Sequence, residues 1–294
     1  MSIKHFKHSQ IDKTRWDHTI RDSANALLYA YSYYLDIVSP GWEALIYNDY
    51  EVLMPLPVKS KWGVSYLVQP QYTQQLGLFS KNKIDGALVD AFIREIPYFS
   101  YELHLNEENS FPNKSLKRRN YLLDLQKDNY QNLYRSFSKN CKRNIGKANA
   151  NSLQIKENMS IEQFFDFYDA TATEYEKLNK ALGLQIFTEI AKRETLKIYT
   201  VYHNEKPISA SVQVFSGDRI INLLPISTVE GKKHSAMFLL INHIIELNAG
   251  KDLTLDFEGS MIDGIARFYR GFGAKEHFYP HIKRFRLKFL VGKL

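Results

Sequence analysis

Two carboxylates stand two residues apart where an apolar run gives way to glycine, in Leu255-Asp256-Phe257-Glu258-Gly259. Read as the end of a strand, the run puts Asp256 and Glu258 on one face and Phe257 on the other. A carboxylate held there can accept a proton from an amine or orient the amine for attack. Glu258 is the first candidate for that role and Asp256 the second. The competing reading is a strand–turn–helix joint whose acids only cap the next helix.

That helix is expected to open at Ser260, with Asp263 at the capping-box distance. Ile262, Ile265, Ala266 and Tyr269 then recur at helical spacing, and Gly271-Phe272-Gly273 stops it. A second polar cluster lies early in the chain, where Gln69, Gln71, Tyr72, Gln74 and Gln75 crowd into one loop. Amides and a phenol at strand ends suit hydrogen bonding to a peptide or a sugar-like acceptor, the alternative being a plain surface loop. No His/Cys group has metal-ligand spacing, and His234 reads as a lone loop histidine, so no metal is expected.

The elements that must position these residues follow from periodicity and turn signals. Residues 1–22 read as a lead-in anchored by Trp16, and a helical segment follows at 25–35. Strands are expected at 42–47, 51–58 and 64–68, then the glutamine loop, a helix at 83–95 and a strand at 99–105. Residues 106–120 read as a crossing loop, and 121–125 as a further strand. A basic amphipathic helix over 129–149 would place Leu133, Phe137, Cys141, Ile145 and Ala148 on one face. Beyond it lie helices at 160–179 and 184–193, strands at 196–203, 208–215 and 219–225, and a loop at 227–234. A helix at 235–248, a strand at 252–257, the helix from Ser260 and strands within 276–291 finish the chain. The order reads as one mixed α/β plan used twice, with no close sequence repeat.

At 294 residues the chain has room for two domains, taken here as 1–128 and 129–294, with strands after about 280 completing the first. With 44% hydrophobic and 14% aromatic residues it can fill two cores. The single cysteine excludes an internal disulfide and fits a reducing compartment. The N-terminus lacks the apolar core of a signal peptide, and no apolar run reaches the ~18 residues of a membrane span. A soluble, cytoplasmic protein is expected. Its charge is uneven: 114–147 carries ten basic residues and two acids, and 265–294 carries eight and one, although the whole chain is only +7. Two basic segments on an otherwise acidic chain suit an anionic partner such as a nucleotide cofactor, tRNA or a phosphorylated precursor, or are two solvated faces.

Two segments resemble a known family. Ser136 to Gln154, SFSKNCKRNIGKANANSLQ, is similar to the helix that opens the second domain of the FemAB-type branch of the GCN5-related N-acyltransferase (GNAT) superfamily, with its Ile-x-x-Ala step at Ile145 to Ala148. The closing LDFEGSMIDGIARFYRGFGA is similar to that branch's Asp-Phe-x-Gly followed by Phe-x-x-Gly-Phe-Gly. The resemblance implies an α/β fold with mixed sheets and two tandem GNAT-like domains. It also implies acyl or aminoacyl transfer to an amine acceptor, from an acyl-CoA or an aminoacyl-tRNA, with a catalytically quiet ligand- or nucleic-acid-binding module as the alternative.

In acyltransferases of this fold, a splayed strand pair exposes backbone N–H groups and the next helix N-terminus receives the donor's diphosphate. The matching place here is the loop from Thr228 to Ser235. The usual Gln/Arg-x-x-Gly-x-Gly/Ala signature keeps only Gly231, leaving Lys232, Lys233 and Ser235 as candidate phosphate ligands beside it. In the tRNA-dependent branch a lysine follows the closing phenylalanine. Here Tyr269 follows Phe268, with Arg270 next, so a neutral hydrogen-bond donor stands where a fixed charge is usual.

Overall fold

The computed structural model describes residues 2–110, 115–126, 129–174 and 177–285. The chain divides into two compact units, one made of Met1–Arg118 together with the chain from Phe278 onward, the other of Arg119–His277.

The first unit opens with β1 (Ile3–Phe6) and α1 (Lys13–Asp22), where Asp12 caps the helix by accepting the Arg15 amide. Residues 1–22 are therefore structured rather than a lead-in, and Trp16 on α1 is fully buried, its indole N–H donating to the Ala30 carbonyl at 2.8 Å. Helix α2 (Ser32–Val38) leads to β2 (Glu43–Tyr47), β3 (Val52–Leu56), β4 (Val58–Lys61) and β5 (Val64–Val68). After the glutamine loop come β6 (Phe79–Ser80), α3 (Gly86–Glu95) and β7 (Tyr101–His104). One sheet runs β1-β2-β3-β6. Strands β4, β5 and β7 pair in that order, and residues 281–284, from the last described strand, pair antiparallel with β7. Leu45, Met54, Leu103, Phe92 and Ile282 meet in the core of this unit.

The second unit begins on β8 (Leu116–Asp124). Lys117, Arg118 and Arg119 thus lie on a strand rather than in a crossing loop; residues 111–114 of that loop fall outside the described residues. The expected basic helix is broken in two, α4 (Tyr130–Ser136) and α5 (Lys139–Asn149), because Ser138 turns extended and accepts the Cys141 amide as a fresh cap. Then follow β9 (Gln154–Lys156), α6 (Ile161–Thr171), opened by the expected Ser160/Gln163 capping box, and α7 (Lys180–Ala191). Strands β10 (Thr195–His203), β11 (Lys206–Ser216) and β12 (Arg219–Ser227) form a meander. The loop after it contains a short helix, α8 (Val229–Lys233), before α9 (Ala236–Asn248). The described part of the chain closes with β13 (Thr254–Asp256), α10 (Asp263–Gly271) and β14 (Lys275–Arg284); residues 286–291 of the strands expected within 276–291 lie outside the described residues.

Within this unit the strand order is β8-β13-β12-β11-β10-β9, with β13 parallel to β12 and antiparallel to β8. Helices α5, α9 and α10 share a core with it, in which Cys141, Ile145, Leu240, Ile244, Phe257 and Phe272 are buried. Of the glycines that end α10, Gly273 is the one its position requires. A Cβ on Gly273, whose φ is +83°, would lie 2.9 Å from the Ser136 hydroxyl, and Gly271 accepts the Ser138 amide at the α4–α5 joint. The closing Gly-Phe-Gly and the break in the basic helix are two sides of one contact.

Candidate active site

Strands β12 and β13 run parallel for only three residue pairs, Arg219–Thr254, Ile220–Leu255 and Ile221–Asp256. Beyond these, β13 stops and β12 continues to Ser227. The cause of the divergence is local. Against β11, Val212 pairs with Leu223 and Ala210 with Ile226, so Leu224 and Pro225 together oppose Ser211. Proline has no N–H for the ladder, and Leu224 takes a φ of +48°, which makes this a bulge that bends the strand.

A pocket of about 390 Å³ opens beside the bulge. Pro225, Ile226 and Ser227 form one side, Gly231, Lys232 and Ser235 the α8 side, and Met237 and Phe238 the start of α9. Ile265, Phe268 and Tyr269 of α10 close it. Its lining is mainly hydrocarbon and aromatic, and Ser227, Lys232, Ser235 and Tyr269 are the lining residues that carry polar side-chain groups. Among the residues singled out from sequence, Gly231, Lys232, Ser235 and Tyr269 meet here. Lys233, Asp256, Glu258 and Arg270 are not among the lining residues.

Tyr269 is 5% exposed and stacks on Phe257, ring centroids 4.6 Å apart. Burial pushes its phenol above the ordinary tyrosine range, and the negative charges of Glu258 and Asp256 push in the same direction. The group therefore keeps its proton and can act as a hydrogen-bond donor, not as a base.

The two acids part company. Strand β13 ends at Asp256, so strand alternation does not reach Glu258. The buried Asp256 carboxylate accepts the Glu258 amide at 2.9 Å and pairs with the Arg219 guanidinium at 2.9 Å. It holds its own turn together. Glu258 takes a φ of +56° and is half-buried. Gly259, at +61°, is required: a Cβ there would stand 2.1 Å from the Arg119 carbonyl oxygen.

The helix expected from Ser260 starts later, at Asp263, with Ile262 as its cap. Ser260 instead accepts the Ile262 amide, and Asp263 pairs with Arg119 at 3.0 Å, so the capping box does not form. Arg270 is exposed and reaches toward Glu276, 3.5 Å away.

The loop from Thr228 to Ser235 is internally bonded. The Gly231 amide donates to the Thr228 hydroxyl at 3.0 Å, Lys232 to the Thr228 carbonyl, His234 to the Glu230 carbonyl and Ser235 to the Lys232 carbonyl. A Cβ on Gly231 would meet the Ile208 carbonyl oxygen at 2.1 Å, so this glycine is explained by the close approach of α8 to β11. The Ser235 hydroxyl donates to Asn144 on α5 at 2.8 Å. The amides of Gly231, Lys232, His234 and Ser235 are thus taken up within the loop.

In the first unit the glutamine loop is bonded to itself and its supports. Gln69 donates to the Thr73 carbonyl and accepts the His104 amide; Gln75 donates to the Gln74 side chain and accepts the Glu107 amide. Tyr34 donates to the Tyr72 carbonyl. These amides order a loop, and Gln75 is only 1% exposed.

Sequence reasoning missed two groups. One is the apolar pocket wall, whose members come from three segments and look like ordinary core residues. The other is a cluster of His203, Glu230 and His234, in which the expected lone histidine has company. The Glu230–His234 spacing on one helical face was visible, but His203 comes from the end of β10.

Two family models match parts of the chain: an acetyltransferase (GNAT) domain over residues 135–264 and the FemAB family over residues 56–183. No curated protein sequence matches. Among solved structures, FemX is similar with a TM-score of 0.65 at 11% identity, covering 99% of both chains. A tandem GNAT protein from the clavulanic acid biosynthesis pathway gives 0.54 at 9% identity, covering 97% of this chain and 100% of its own. L-PGS from Bacillus licheniformis gives 0.53 at 9% identity, covering 95% and 93%. At these identities the likeness is one of fold, and the matched segments name the transferase families. This chain has the tandem GNAT-like fold, and parts of it match the acetyltransferase (GNAT) domain and FemAB family models.

Proposed function

We propose that the chain is an N-acyltransferase that holds the acyl or aminoacyl group of its donor in the pocket beside the β12 bulge and passes it to an amine. The observation that carries this reading is the buried Tyr269, a neutral phenol in the wall of an apolar pocket. When an amine attacks an ester or thioester carbonyl, negative charge grows on the carbonyl oxygen, and a fixed neutral donor stabilises it. Glu258, on the turn leading into α10, is the carboxylate assigned to orient the amine or take its proton.

Of the two donor classes, an aminoacyl-tRNA is better supported than acyl-CoA. The Gly231 and Lys232 amides beside the pocket are already bonded within the loop. Lys139, Arg143 and Lys147 are exposed on α5, where a polyanion finds cations without needing a nest of amides. The protein's own contribution is an apolar seat for the acyl portion, a phenol at its wall and a basic helix face.

Donor class is tested by two titrations on the full chain. Filter binding of aminoacyl-tRNA should show affinity falling steeply with salt, and acetyl-CoA should leave the melting temperature unchanged. A saturable rise in melting temperature with acetyl-CoA, without tRNA binding, would reverse the donor assignment and leave the pocket as an acyl-CoA site.

A further inference from the structure

We propose that His203, Glu230 and His234 form a divalent-metal site, of the kind filled by Zn²⁺, which fastens α8 to the end of β10. Each residue offers a donor atom, one nitrogen from each imidazole and an oxygen from the carboxylate, and these atoms all lie within 4.8 Å of one another. His203 Nδ1 is 2.6 Å from Glu230 Oε1, and the two imidazole centroids are 4.7 Å apart. Two imidazoles and one carboxylate suit zinc, with the remaining coordination position left to water.

The local sequence makes the arrangement. Glu230 lies in α8 and His234 is its C-terminal cap, four residues on and so on the same face. His203 is the last residue of β10, just before the turn into β11. The three are half-buried or exposed, so an ion and its water have access. An ion must displace the His203–Glu230 hydrogen bond, and Lys206 also acts on the Glu230 carboxylate. With three ligands and those two costs, binding is expected to be weaker than that of a four-ligand structural zinc.

The position gives the site a consequence. Gly231 and Lys232, between two of the ligands, line the acyl pocket. A metal tying Glu230 and His234 to β10 holds that wall still.

The experiment uses the full chain stripped with chelator and titrated with Zn²⁺ alone, read by calorimetry and by amide hydrogen exchange over residues 229–234. One ion should bind per chain, and exchange across that segment should slow. His203→Ala and His234→Ala should each weaken binding by more than the roughly 10–100-fold lost when a metal site loses only an outer-shell partner. The double variant should show no zinc-dependent slowing, while its melting temperature without zinc stays near that of the parent. Absence of saturable binding, or binding unchanged in the double variant, overturns the assignment. So does binding that leaves exchange over 229–234 untouched.

Discussion

The ring of Tyr269 lies nearly parallel to that of Phe257, 30° between planes, so the residue after the splayed strand positions the phenol at the pocket. Stack and hydroxyl are separable. Tyr269→Phe keeps the aromatic contact and removes the donor. Turnover is expected to fall about 10²-fold, the usual cost of one oxyanion donor, with little change in urea midpoint. Glu258→Gln should lower turnover as well. Initial rates of acyl transfer measure both, and unimpaired rates in the pair would discard these two assignments.

Gly231 is a packing residue. Gly231→Ala drives a methyl into the Ile208 carbonyl oxygen, so α8 must move away from β11. Equilibrium urea unfolding should show a loss of about 1–3 kcal/mol. A neutral substitution would mean that α8 has room the close approach denies it.

Asp256 and Arg219 form a buried pair, their side chains 5% and 18% exposed. Removing one partner strands the other, so Arg219→Met should cost roughly 3 kcal/mol. Asp256→Asn also weakens the acceptor for the Glu258 amide and should loosen the Glu258–Gly259 turn. Hydrogen exchange at Glu258 is the direct readout.

The first unit should carry an acid-sensitive element. Burial, and then the charges of His281 and Arg118, hold His104 down at about 4, well below the 6.5 of a free imidazole. The unfolded chain therefore takes up a proton that the folded one refuses. The contribution is fully present above pH 6.5 and is lost as pH falls toward 4. Urea midpoints measured across that window should fall, and His104→Gln should flatten the slope.

Cys141 is fully buried, and burial pushes its thiol up to about 12. A thiol reagent should therefore label the native protein only through opening of the α5 core, at a rate that follows denaturant. Prompt labelling in buffer alone would contradict its placement.

Much of the architecture was legible because helical and strand periodicities are local. The β10–β12 meander, α9, the Ser160/Gln163 capping box and the apolar stripe of Cys141, Ile145 and Ala148 lie where spacing puts them, whereas β9 was not expected and β8 starts inside the expected crossing loop. What misled was also local. Ser260 and Asp263 have capping-box spacing, but Asp263 has Arg119 to pair with, a residue distant in sequence. The basic helix reads as continuous until Gly271 and Gly273 pack against its break at Ser138.

The sequence by itself determined the mixed α/β plan, the two basic segments and the aromatic and acidic residues around position 257. Only the tertiary structure decided what they do. Asp256 and Glu258 are equivalent as text, yet one is bound to Arg219 and the other stands at a left-handed turn, because a partner 37 residues away selects between them. The pocket lies where the Leu224–Pro225 bulge of β12 faces α8, α9 and α10, and His203 meets Glu230 and His234 because β10 ends beside α8. Spacing along a chain fixes which residues share a face; which face meets which is settled by packing.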